Sequence, residues 1–185
     1  MEVEWEENDE IYRPCEADAA AFVEALKSDT PIEVRRESAC VCIRRGALAN
    51  MRAHLAGDTS IELGGLLVGQ VCVDPAKMAC ITVIERALPA SDGAGTATTF
   101  SYTSESWGHL APKLQGLPTD MTVVGSYHSH PDMGVFLSST DLNTQQEVFP
   151  QLWQVAIVID PVRDEIGVFT GPHGKPCDRW YLVAD

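Results

Sequence analysis

The chain has no apolar run approaching the roughly 20 residues that a membrane-spanning helix needs, so no membrane partner is expected. Basic residues are scarce. Against 27 Asp and Glu stand 13 Lys and Arg, for a net charge of −14. A nucleic-acid ligand would want a basic stripe, so none is expected. A basic protein substrate suits the acidic surface, which also serves simply to keep a protein in solution. No Cys-x-x-Cys occurs among Cys15, Cys40, Cys42, Cys72, Cys80 and Cys177, which removes the commonest structural-zinc and redox spacings. Cys40 and Cys42 share one face of an expected strand and read as core thiols, and the six are expected to be free. A zinc deaminase is disfavoured: Pro176-Cys177 lacks the second Cys and no His-x-Glu precedes it. The N-terminal ten residues are acidic and lack an apolar stretch, so no secretory signal is expected and the cytoplasm is the default compartment. No internal repeat is visible.

What is present is concentrated in one window, His128-Ser129-His130-Pro131 followed by Ser138-Ser139-Thr140-Asp141. The β-branched and small residues before it make 122–130 a strand that stops at Pro131, which cannot donate to a ladder. Residues two apart on a strand face the same way, so His128 and His130 project together about 6.6 Å apart and can meet on one ion. Asp141 returns to them on the first turn of a helix running to about Phe149. Two His and one carboxylate with a fourth position left to water is the pattern of a catalytic zinc site, since structural sites close with four protein ligands. Ser138 and Asp141 equally fit a helix start, in which each side chain satisfies a free backbone N–H, and the two roles are compatible.

A further carboxylate, Glu62, stands ahead of the Gly-rich apolar strand Leu63-Gly64-Gly65-Leu66-Leu67-Val68-Gly69. By itself it reads as a solvated strand-end residue. Beside a zinc site it would be the proton shuttle that a metal hydrolase requires.

These residues resemble the signature of the JAMM, or MPN-plus (Mov34/PAD-1, JAB), metallopeptidase family: a Glu before a Gly-Gly strand, then His-x-His-Pro, then Ser-x-x-Asp. The family includes the deubiquitinating subunit of the proteasome lid and bacterial JAB-domain proteins. The likeness extends from about residue 32 to 170, with 126–146 similar to the proteasome-lid type and 153–163 to bacterial members. It implies a mixed α/β fold of MPN/JAB type, a curved, largely antiparallel sheet flanked by helices with cytidine-deaminase-like layering. It also implies one Zn2+ held by His128, His130 and Asp141, with Glu62 as the catalytic base and Ser138 as the hydroxyl that stabilises the oxyanion. The reaction it implies is hydrolysis of the amide after the C-terminal Gly-Gly of a ubiquitin-like protein. E1-like and E2-like proteins would be partners in the same pathway. A catalytically silent MPN scaffold is disfavoured by the complete ligand set, and a zinc hydrolase of small amides or peptides uses the same chemistry.

Around this centre the expected layout is an acidic extension over 1–30, with an amphipathic helix at 16–27, and a metallopeptidase domain over 31–185. Within the domain, strands are expected at 39–43, 63–73, 79–87, 153–159, 165–170 and 179–183, and helices near 48–55 and around Trp107. Pro112 should kink or shorten the latter. The segments 89–99 and 143–150 are expected to grip the substrate, with an extended tail docking as an added strand. Phe136 reads as a substrate contact or, equally, as a buried loop anchor. Ser129, between the two His, should face the other side of the sheet and be structural.

Overall fold

The computed structural model describes residues 12–185; the acidic segment expected at 1–10 lies outside the described residues. In chain order the elements are β1 (Cys15–Glu16), α1 (Ala19–Glu24), β2 (Ala39–Arg44), α2 (Arg45–Leu55), β3 (Gly64–Asp74), β4 (Ala79–Pro89), β5 (Ala94–Gly95), β6 (Phe100–Ser101), α3 (Ser104–Gln115), β7 (Thr122–Ser129), α4 (Ser139–Val148), β8 (Val155–Asp160), β9 (Glu165–Thr170), β10 (Lys175–Pro176) and β11 (Trp180–Val183). The main sheet runs β10-β9-β8-β7-β3-β4-β2-β11, with β1 paired to β3, and β5 and β6 make a separate hairpin. Its long pairings β3·β4, β3·β7 and β8·β9 are antiparallel, whereas β7·β8 and β2·β4 are parallel. Mixed α/β architecture with a curved, mostly antiparallel sheet and, among the described residues, four helices is therefore the fold.

One face of the sheet packs Val41, Ile43, Leu67, Val71, Ile84, Tyr127, Ile157 and Ile159 against Leu48, Met51 and Leu55 of α2. On the other face α1 covers Cys40, Cys42, Cys72, Ile81 and Val83, while Leu110 of α3 and Phe149 close over Leu66. The six cysteines are free, and Cys40 and Cys42 are buried. No helix among the described residues is long and apolar enough to cross a membrane.

One irregularity sets the phase of the site. The β3·β7 register slips by one residue between Leu67 and Val68, so Val124 and Tyr127, three apart, both reach the α2 face. A bulge shifts every following side chain to the opposite face, and here it sends His128 away from α2. Gly125 makes this possible: its φ is +147°, and a Cβ there would lie 1.8 Å from the Val155 carbonyl oxygen. Only glycine fits.

Some expectations are corrected in detail. The helix expected at 16–27 is the six-residue α1, started by the Asp18 side chain accepting from the Ala21 N–H, because residues 15–16 are drawn into pairing with β3. α3 runs its twelve residues through Pro112, whose missing N–H deprives only the carbonyl of the solvent-exposed Gly108 of its intrahelical donor. The segment 89–99 contains β5 of the short hairpin β5–β6, and 143–148 lies in the helix expected to run to about Phe149.

Candidate metal centre

Four elements converge at the end of the sheet. β7 presents His128 and then His130, whose backbone N–H continues the parallel pairing by donating to the Ile159 carbonyl at 3.0 Å. The loop 131–137 leads to α4, which begins with a full capping box: the Ser138 hydroxyl accepts from the Asp141 N–H at 3.3 Å, and the Ser138 N–H donates to Asp141 Oδ2 at 2.7 Å. That reciprocal pair holds Asp141 on the first turn with its carboxylate turned back to the imidazoles. The Ser138 hydroxyl accepts in the cap and also hydrogen-bonds the Asp141 carboxylate, so in this arrangement its proton is engaged there.

His128 Nε2 and His130 Nε2 are 3.1 Å apart. Asp141 Oδ1 lies 3.4 Å from His128 Nε2, and Asp141 Oδ2 lies 3.6 Å from His130 Nε2. A tetrahedral ion bound at 2.0–2.1 Å by nitrogen and oxygen would separate its ligand atoms by about 3.4 Å. Two imidazole nitrogens 3.1 Å apart share either a proton or a cation, and the spacing of all three donors is that of ligands around one ion. The three donors therefore fit a single divalent ion, and they form the metal-competent group of His, Cys, Asp and Glu found among the described residues. The Asp141 carboxyl is subject to burial, which raises its pKa, but hydrogen bonds with His128 and His130, the charge of His128 and a hydrogen bond from Ser138 hold it well below the ordinary carboxylate range. It is ready as an anionic ligand.

Glu62 arrives from the segment preceding β3. Its side chain is buried, and Oε1 lies 3.7 Å from His130 Nε2 with no hydrogen-bond partner among the described residues. An unpaired buried carboxylate oxygen is costly, and this one lies beside the His130 imidazole. Burial raises its pKa, opposed by the nearby His128 and His130, so it holds a proton more readily than an exposed Glu. Its backbone is fixed from two sides: the Glu62 N–H donates to the Thr96 carbonyl at 2.7 Å, and the Leu63 N–H donates to Ser129 Oγ at 2.9 Å.

Phe136 stacks its ring 4.6 Å from that of His130 and remains 45% exposed, which corrects the option of a buried loop anchor. Beside this group a cleft of about 250 Å³ opens between α3 and α4, lined by Phe100, Tyr102, Trp107, Thr144 and Val148 together with His128 and Asp141. Ser129, expected to be structural, is so through its hydrogen bond to the Leu63 backbone. Two contributors escaped the sequence reading: Thr96, which holds the Glu62 backbone, and Tyr102, whose hydroxyl donates to the Gly65 carbonyl at 2.9 Å, neither of which carries a motif.

A bent, mostly antiparallel sheet that brings His-x-His from one strand and an Asp from the next helix to one point defines a JAB/MPN-type domain. The chain belongs to the family described as prokaryotic homologs of the JAB domain, whose model matches residues 44–169. It is 36% identical over 145 residues to the 26S proteasome regulatory subunit rpn11 of Schizosaccharomyces pombe, covering 77% of this chain and 44% of that protein. It is 35% identical over 124 residues to the ubiquitin carboxyl-terminal hydrolase RPN11 of Saccharomyces cerevisiae, covering 65% of this chain and 38% of that one. The chain thus spans less than half the length of these relatives. Among solved structures, a protein of Desulfitobacterium hafniense shares the fold with a TM-score of 0.59 at 18% identity, over 78% of this chain and 94% of that one.

Proposed function

We propose that this protein is a zinc-dependent isopeptidase or peptidase that cleaves the amide bond after the C-terminal Gly-Gly of a ubiquitin-like protein. The observation that carries this reading is the placement of the unpartnered Glu62 carboxylate oxygen 3.7 Å from His130 Nε2, beside three donors turned to one point. Similarity to a protein named ubiquitin carboxyl-terminal hydrolase supports the substrate class.

His128, His130 and Asp141 would hold the ion. When bound, zinc supplies Lewis acidity that acidifies a water to a pKa of about 7 and polarises a carbonyl. Glu62 takes the proton from the attacking water and delivers it to the departing nitrogen, a transfer favoured by its raised pKa. The Ser138 hydroxyl, fixed at the helix start, donates to the carbonyl oxygen as negative charge gathers there. An extended tail enters beside the β5–β6 hairpin, whose short strands offer an edge for main-chain pairing, and passes Phe136. Two glycines next to the scissile bond would let the tail's backbone come close to both walls of that approach.

The test is cleavage of a panel of ubiquitin-like fusions, with and without a chelator. Cleavage after Gly-Gly that stops on chelation and returns with zinc is expected. Intact fusions throughout, or cleavage of a short Gly-Gly peptide as fast as of a folded modifier, would remove the claim.

A further inference from the structure

Resting on the metal-site reading above, we infer that Asp160 is a positioning residue for that centre, setting the path of the loop that spans His130 and Asp141. Asp160 ends β8 and is fully buried. Its Oδ1 accepts from the N–H groups of Val162 and Arg163 at 2.9 and 3.1 Å, which is what a tight turn into β9 needs. Two more bonds have no part in that turn. Asp132 N–H donates to Oδ1 at 3.0 Å and Gly134 N–H to Oδ2 at 2.8 Å, each from a residue more than twenty positions earlier in the chain.

Those two residues hold the left-handed conformations of the loop, with φ of +60° at Asp132 and +81° at Gly134. For Asp132 the conformation is unfavourable without compensating bonds. Arg163 reinforces the arrangement by donating from Nε to Asp132 Oδ1 at 3.0 Å and from Nη2 to the Asp132 carbonyl at 2.5 Å. Beyond Gly134, Val135 and Leu137 seat against Ala156, Val158 and Phe169, Phe136 covers His130, and Ser138 starts α4. One buried carboxylate thus ties together the chain leaving the second His and the turn after β8. Groups that orient metal ligands without touching the ion commonly account for about 10–100-fold in affinity.

In Asp160→Asn, one acceptor oxygen becomes an N–H2 donor facing backbone donors, so the loop loses its anchor while the three ligands are retained. The experiment measures zinc affinity of the purified full chain by competition with a chromophoric chelator, beside melting temperature, for the wild type, D160N, D74N and R163A. D74N is the matched control: Asp74 is also buried and accepts backbone N–H groups, from Ala19 and Lys77 at 3.0 and 3.1 Å, away from the site. Both Asn variants should melt earlier, but only D160N should weaken zinc binding, by about tenfold or more. Equal affinity in D160N and wild type, or an equal loss in D74N, overturns the assignment. Should D160N not fold, R163A decides alone: weakened zinc binding at an unchanged melting temperature supports it, and wild-type affinity overturns it. Failure of the wild type to bind zinc would remove the functional reading itself, a separate result.

Discussion

Ser129 and Leu63 clasp each other across neighbouring strands, Leu63 N–H donating to Ser129 Oγ and Ser129 N–H to the Leu63 carbonyl, both at 2.9 Å. This clasp stations Glu62, one residue before Leu63, against the imidazoles on either side of Ser129. Ser129→Ala would leave the half-buried Leu63 N–H without a partner, a loss of about 1–3 kcal/mol. The expected outcome is a fall in kcat with zinc content unchanged. Steady-state kinetics beside metal analysis checks it, and loss of zinc in proportion to activity would contradict it.

Separate roles for base and ligands predict separate phenotypes. Glu62→Gln should keep one zinc per chain and lower turnover by about 100-fold or more, since general-base catalysis commonly contributes that much. His128→Ala and Asp141→Ala should lose the metal, because each removes one of three donors. Zinc quantification on purified variants decides, and equal zinc loss in all three would show that Glu62 is a ligand.

Ser138 has two functions that substitutions can split. Glycine is a tolerable helix start, weaker than Ser by only a few tenths of a kcal/mol, whereas Ala costs about 1 kcal/mol. Ser138→Gly should therefore barely move the melting temperature yet reduce kcat by about 100-fold through loss of the hydroxyl donor. If Gly retains full activity and only Ala impairs it, the hydroxyl is a cap and nothing more.

Acid sensitivity should trace in part to Asp74. The Ala19 N–H bond to its carboxylate lowers the pKa, burial opposes, and the Lys77 N–H and ammonium add to the lowering. A carboxyl more acidic in the folded than in the unfolded chain stabilises above the ordinary carboxylate value, and that contribution disappears as pH falls through the folded-state value. Urea midpoints measured from pH 7 downward should begin to fall near about pH 4. Asp74→Asn should show a lower plateau and a shallower decline, and parallel curves would exclude Asp74 as a source.

Much of this was legible in the linear chain because it depends on local rules. His-x-His on a β-branched run stopped by Pro131 needs only the two-residue period of a strand, and Ser138 with Asp141 needs only helix-start chemistry. The strand 63–73 and helix 48–55 follow from unbroken apolar patterns, and β3 and α2 lie within two or three residues of those bounds. The β5–β6 hairpin escaped notice because strands of two residues leave no period to detect. α1 came out shorter than its pattern because pairing of Cys15 and Glu16 with β3 competes for the same backbone.

By itself, then, the sequence determined which side chains have the types and spacing to hold a metal or move a proton, since residue type and short-range spacing are written into it. Tertiary structure alone decided that Glu62 meets His130, that the Gly125 bulge turns His128 away from the α2 face, and that Asp160 bonds the loop between His130 and Asp141. Each of these joins residues between about 26 and 70 positions apart through strand register and buried hydrogen bonds. Such partners are selected by the packing of the whole sheet, and no local pattern in the chain encodes them.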